Sequence, residues 1–244
     1  MGAAIVRRFA QGGWRCVIHY RSSKAEAERL GDEIRAAGGA ACLVQFDLAD
    51  ATAIEAGLNA AFEAEPGLQV LINSASIFDY DAADAPSPDV WREALAVNSL
   101  APILLSAGFA TRLAPGTKDA CVINVLDQKL RNPNPDYFSY TVSKAALQAA
   151  SQLMARAYAP RLRVANVAPG LVLPSGDQTD EEFERSAAMN ILERRTTIDE
   201  VVDGIYFVAT SPYVTGQTLY IDSGQSLTAQ ARDVMFLVRQ PDAP

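Results

Sequence analysis

The chain has 244 residues, of which 49% are apolar, and a formal net charge of −8. That length fits one large α/β domain or two small ones with a sizeable core, and the acidic balance disfavours a nucleic-acid or anionic-membrane surface. No run reaches the ~18 uninterrupted apolar residues of a membrane span, Arg7 and Arg8 break the apolar N-terminus as no signal peptide would, and a metal site is disfavoured because there is no C-x-x-C and His19 is the one histidine.

Gly2–Ala10 reads as a helix with Ile5, Val6 and Phe9 on one face, ended by Gly12-Gly13. Arg15–Tyr20 is a short apolar strand, Ser23–Ala37 an amphipathic helix, Ala41–Asp47 a strand and Ala51–Ala64 a helix closed by Pro66-Gly67. Leu68–Asn73 is the next strand; Asp89–Leu113 is a long helix predicted to bend near Pro102. Ala120–Leu126 and Arg161–Val167 are strands on either side of a helix over Tyr137–Tyr158. Thr179–Asn190 is a short helix, Ile198–Thr210 a longer one and Gln217–Asp222 the last strand. The alternation predicts a Rossmann-like, doubly wound parallel sheet in a single domain, with a core over 2–227 and an extension over 228–244. Cys16, Cys42 and Cys121 each lie in an apolar strand-like run, as expected of reduced core thiols in a cytoplasmic protein.

The chemistry collects around Asp127–Lys144, D-Q-K-L-R-N-P-N-P-D-Y-F-S-Y-T-V-S-K. A buried strand delivers Asp127, a loop rich in Asn and Pro follows, and the next helix carries Tyr140 and Lys144 on one face, four residues apart. An unperturbed phenol has a pKa of about 10. A cation beside it lowers that value toward working pH, so Lys144 is expected to make Tyr140 an acid. A Tyr and a Lys at this spacing are common on helices. The weight of the reading comes from the surrounding strand ends, where ligands bind in open α/β sheets.

With Asn98 in A-V-N-S-L-A-P, Asn73-Ser74-Ala75-Ser76, and Pro169-Gly170-Leu171, these residues resemble the short-chain dehydrogenase/reductase family. They are most similar to its pteridine reductase branch, in which an Asp stands where most members have Ser. The resemblance implies a catalytic set of Asp127, Tyr140, Lys144 and Asn98, the last holding a water that links Lys144 to solvent. It implies cofactor contacts from Gly2, His19, Arg21, Ser22, Asp47, Leu48, Asn73, Ala75, Ser76, Tyr140, Lys144, Pro169, Gly170 and Leu171. Arg21 with Ser22 at the ribose-reading position points to NADP, since an Arg accepts the 2′-phosphate that an acidic residue would repel. Ser76, Phe78, Asp127 and Tyr140 would meet the substrate, with Phe78 stacked on a flat pterin or folate-type ring. A bland alternative for Phe78 is a loop aromatic covering apolar surface. Leu171–Arg185 would form a lid. Tyr213–Gln217 with Asp222-Ser223-Gly224 would be structural.

The family's opening strand and glycine-rich turn have no counterpart here beyond Gly2. Either the chain starts late or it is a degenerate homologue, and the first is favoured because the other site residues are intact. Unpaired neighbours of a central strand are expected to leave the chain poorly stable and NADPH weakly held. The implied assembly is a homodimer or homotetramer through the Asp89–Leu113 and Tyr137–Tyr158 helices. The rival readings are a carbonyl reductase of the same family and a non-catalytic binding or subunit-interaction homologue. Val234, Met235, Phe236 and Leu237 are apolar enough to dock on the protein or on a neighbouring subunit.

Overall fold

The computed structural model describes residues 1–239; the last five residues of the expected extension, 240–244, lie outside the described residues. Helix α1 (Gly2–Gln11) leads into β1 (Cys16–Tyr20), α2 (Lys24–Ala36), β2 (Ala41–Gln45), α3 (Ala51–Ala64) and β3 (Val70–Asn73). Then come α4 (Pro88–Leu95), a π-helical turn (Ala96–Leu100), α5 (Ala101–Arg112) and β4 (Ala120–Val125). A 3-10 turn (Gln128–Arg131), α6 (Phe138–Tyr158), β5 (Leu162–Pro169), α7 (Asp180–Ala187) and α8 (Ile198–Thr210) follow. The described chain closes with β6 (Thr218–Ile221), a 3-10 turn (Gln225–Leu227) and the single helical turn α9 (Val234–Leu237).

All strand pairings are parallel, in two groups, β1-β2 and β3-β4-β5-β6. Every residue of β4 and β5 is buried, as in a parallel sheet covered on both faces. Alternate side chains go to opposite layers. Cys121 and Ile123 pack with Ile5 and Phe9 of α1 and with Val201 and Ile205 of α8. Val122 packs with Phe109 of α5 and Met154 of α6. Helices on both faces make the architecture doubly wound, as the alternation of elements predicts.

The sheet is not continuous. Between β1 and β3 lies a cavity of about 820 Å³, lined by Ile5 and Phe9 of α1, Ile18 of β1, Leu71 of β3, Leu58 of α3 and Leu105 of α5. The edges of β1 and β3 that face it carry no strand pairing. The interruption falls where the family resemblance expects that family's opening strand.

The long helix differs from expectation in where it is irregular. It is wound more loosely over Ala96–Leu100, one turn before Pro102. Pro102 follows directly on that turn inside the continuous helix, where it removes one N–H from the hydrogen-bond ladder. Such loosened turns often occur where a side chain is presented to a site, and the residue presented is Asn98. The C-terminal arm docks on its own chain, with Val234 and Met235 buried.

Candidate active site

Asp127 is the extended residue that follows β4. Its carboxylate caps the 3-10 turn, with Oδ1 accepting the Lys129 N–H at 2.8 Å. Helix α6 is preceded by Tyr137, which is left-handed (φ 51°) and supplies no side-chain cap. The cap comes instead from Asp81, distant in sequence. Its Oδ1 accepts the Ser139 N–H at 2.9 Å, its Oδ2 accepts the Ser139 hydroxyl, and its carbonyl accepts the Phe138 N–H at 3.1 Å. An anion at a helix N-terminus also meets the positive end of the helix dipole. This anchoring sets the first turn of α6 against the end of β4, and the Tyr140 hydroxyl donates to Asp127 Oδ2 at 2.9 Å. One turn later Lys144 donates from Nζ to the Val125 carbonyl at 2.8 Å. Tyr140 and Lys144 are buried and Asp127 is half-buried.

The electrostatics correct one expectation. Lys144 does not lower the Tyr140 pKa here. Burial, followed by the charge and the accepted hydrogen bond of Asp127, holds the phenol well above its ordinary value. Burial pushes the Lys144 ammonium down to about 8, with Asp127 opposing. Burial also raises Asp127, against the pull of the Lys129 N–H and the Tyr140 hydroxyl. The phenol is therefore a stored proton beside a carboxyl that is itself disposed to carry one.

Asn98 is fully buried and clamps the loop after β3. Its Oδ1 accepts the Ile77 N–H at 2.8 Å, and its Nδ2 donates to the Ile77 carbonyl at 2.9 Å and to Ser143 Oγ at 3.1 Å. These contacts place Asn98 on the loop and α6, and none is with Lys144. Phe78 is not a free platform. Its ring is stacked on Tyr137 at 4.0 Å and set edge-on to Tyr140 at 4.6 Å. Ser76 and Ala75 are exposed beside it, with Ser76 Oγ 3.4 Å from the Ile77 carbonyl.

Several expected cofactor contacts have structural partners. Asn73 donates from Nδ2 to Asn124 Oδ1 at 2.8 Å, tying β3 to β4. His19 is 3.0 Å from the Phe46 carbonyl through Nε2, and burial lowers its pKa. Leu48 packs with Ile54 and Leu58. Asp47 accepts the Ala49 N–H at 2.9 Å. Arg21 and Ser22 are exposed past the end of β1. At the turn after β5, which Pro169 ends, the Gly170 N–H donates to the Ile221 carbonyl at 2.9 Å and the Leu171 N–H to Gln225 Oε1 at 3.2 Å. A Cβ on Gly170 would come within 2.9 Å of the Asp222 backbone, so the approach requires glycine. Asp222 accepts the Gly224 and Ser226 N–H groups, the structural part expected of it. At Gly2, α1 opens without a side-chain cap, close to Ser74. Among the described residues no three His, Cys, Asp or Glu side chains converge as metal ligands.

The enoyl-(acyl carrier protein) reductase family profile matches residues 1–226. This chain belongs to the short-chain dehydrogenase/reductase family. Within the family it is similar to the crystal structure of FolM alternative dihydrofolate reductase 1 from Brucella suis in complex with NADP, at 33% identity, 94% coverage of each chain and a TM-score of 0.89. It is 27% identical to dihydromonapterin reductase of Escherichia coli, covering 93% of this chain and 92% of that one. It is also 30% identical to 3beta-hydroxysteroid dehydrogenase 1 of Eggerthella lenta, covering 93% and 90%.

Sequence reasoning missed a second ring of residues, around Tyr137, which Phe78 joins to Tyr140. Lys129 is buried between the Asp136 carbonyl, at 2.6 Å, and Asp233 Oδ2, at 3.3 Å. Asp136 is buried under Arg232. Tyr137 packs among Phe78, Tyr80 and Phe236. The signal available in the sequence was the D-Y pair before Phe138 and the R-D-V-M-F run of the arm. Neither follows the periodicity of an element, so only the folded chain brings them together.

Proposed function

We propose that this short-chain oxidoreductase uses NADPH to reduce a pterin or dihydrofolate-type ring. The observation that carries the reading is the Asp127–Tyr140 hydrogen bond, in which a carboxyl occupies the position that most family members give to a hydroxyl. The relatives with pterin and folate names support it. The residues present would supply part of a dinucleotide site. The bare N–H groups at the start of α1 and the dipole there would take a phosphate. Arg21 and Ser22 would take the 2′-phosphate, and Lys144 would take ribose hydroxyls.

NADPH, when bound, supplies the hydride. The chain's own residues supply the proton. With Asp127 ionised, the phenol proton is directed at Oδ2. With Asp127 protonated, the carboxyl donates to the phenol oxygen, and the phenol proton is free to pass to a ring nitrogen. The proton lost by Tyr140 is replaced from Asp127, leaving a carboxylate and a neutral phenol. A hydroxyl in place of Asp127 could orient the phenol but holds no titrating proton to replace it with. Reduction of a carbonyl is the second reading, favoured by the steroid dehydrogenase relative. The deciding experiment is Asp127→Ser assayed with a dihydropterin and with a steroid ketone. Loss of pterin turnover with ketone turnover kept or gained is expected; pterin turnover equal to the native enzyme's would remove the reading. A homologue that only binds partners is separated from both by NADPH fluorescence titration, which would show no saturation. Assembly through the α4–α5 and α6 helices fits the exposure of Leu100 and Leu153 on them and is checked by sedimentation.

A further inference from the structure

The contacts of the C-terminal arm, residues 228–239, converge on the substrate side of the site. Two arise at its entry to α9. Arg232 donates to both oxygens of buried Asp136, through Nε to Oδ2 at 2.8 Å and Nη2 to Oδ1 at 2.8 Å, and the Asp233 N–H donates to Asp136 Oδ2 at 2.7 Å. Asp233 then pairs with Lys129 at 3.3 Å. Lys129 lies two residues from Asp127, whose carboxylate its own N–H holds. The arm thus grips the loop that carries the acid pair.

The same arm reaches the lid. Arg239 donates to Glu182 of α7 at 3.1 and 3.0 Å and to Asp177 at 3.0 Å. Between these two ties the arm lays Phe236 against Tyr80, with centroids 5.5 Å apart, and beside Tyr137 at 6.3 Å. Tyr137 is stacked on Phe78, and Phe78 abuts Tyr140. A file of aromatic rings therefore runs from the acid to the arm. Burying an acid and a lysine together is costly unless the geometry they fix matters, and a hydrophobic plug would cover the loop more cheaply.

We infer that the arm is the outer wall of the substrate site: it ties the lid to the catalytic loop and uses Phe236 to select flat aromatic rings. The inference rests on the pterin reading for the nature of the ring, and not for the existence of the wall.

The test compares the native chain with Phe236→Ala, which keeps both ties, and Arg239→Ala, which breaks the tie to the lid. Phe236→Ala should raise KM for a dihydropterin about tenfold, the upper worth of an aromatic contact, with kcat and the NADPH Kd within about twofold. Arg239→Ala should speed amide exchange across Asp180–Ala187 about two- to fivefold, the population shift from losing a solvent-screened charged tie. Unchanged exchange in Arg239→Ala, or a lowered Tm with unchanged KM in Phe236→Ala, would make the arm a mere brace and overturn the inference. If the native chain reduces only the ketone, the pterin reading fails and the wall is judged on the ketone KM. If it reduces neither, exchange alone decides, faster exchange supporting the wall and equal exchange rejecting it.

Discussion

Asp127 and Tyr140 are joined by one hydrogen bond of 2.9 Å, with the phenol buried and the carboxyl half-buried. Tyr140→Phe removes the phenol proton and keeps the ring against Phe78. It should cut kcat by roughly 10²–10⁴, the usual worth of general acid catalysis, and leave NADPH affinity unchanged in a fluorescence titration. The raised pKa of Asp127 gives the reaction a pH limb. The donating form is the protonated one, so kcat/KM for reduction should fall as pH rises through that pKa, and the limb should vanish in Asp127→Ser. A limb that survives the substitution would belong to another group. Lys144 makes a different prediction, for stability. Its pKa falls from 10.5 to about 8 on folding. Through Lys144 the unfolded chain therefore binds more protons between those values, a contribution to stability that grows with pH from about 8 and is opposed from near 9 by the Cys121 thiol, which burial raises to about 11. Across that window the urea midpoint of the native chain should rise with pH relative to that of Lys144→Met; parallel curves would mean the ammonium is not strained.

At the scale of the element, α6 depends on a cap that its own sequence lacks. Ser, Thr, Asp or Asn usually occupies the residue before a helix, but Tyr137 holds that place in a left-handed conformation and Asp81 substitutes from the loop after β3. Asp81→Ala leaves the Ser139 N–H and hydroxyl buried without their acceptor, a loss of about 1–3 kcal/mol. The urea midpoint should drop with the m-value unchanged. Because Tyr140 sits one residue past Ser139, kcat should fall as well, while the NADPH Kd moves little. A stability loss with full kcat would show that the first turn of α6 is held by packing alone. The π-helical turn before α5 is the other local device. It turns Asn98 toward Ile77 and Ser143, so the loop after β3 and the face of α6 are fixed to one another.

For the whole molecule, the division of the sheet is the dominant fact. Arg21 and Ser22 belong to the β1-β2 group, and Lys144 and Pro169 to the group around β4 and β5. A dinucleotide that touches both joins two sheets that no strand pairing joins. NADPH at a hundredfold excess over its Kd should stabilise the chain by about 2.7 kcal/mol. Amide exchange should slow at β1 and β3, whose facing edges border the 820 Å³ cavity. On the proposal that Arg21 reads the 2′-phosphate, Arg21→Asp would replace attraction by repulsion there. It should abolish the effect of NADPH and spare that of NADH. A Tm that does not move with NADPH would count against the cofactor reading, and a variant that still prefers NADPH would exclude Arg21 as the reader.

The order of strands and helices was legible because periodicity and the Gly and Pro breaks are local properties of the chain. The pairing of Tyr140 with Lys144 was legible because four residues make one helical turn. Asp127 was legible because strand ends carry the polar residues of such sheets. What Tyr140 does electrically was not. A lysine nearby in sequence suggested a lowered pKa, whereas burial and a carboxylate from the end of β4 raise it, and desolvation is a property of the packed interior only. Nor could the sequence tell that Phe78 lies stacked on Tyr137, or that Asn73 faces Asn124 across β3 and β4. The C-terminal arm marks the same boundary. Its apolar residues announced that it docks. Lys129, Asp136, Arg232 and Asp233 become one charge cluster only because tertiary folding brings together residues about a hundred positions apart and shields Lys129 and Asp136 from water.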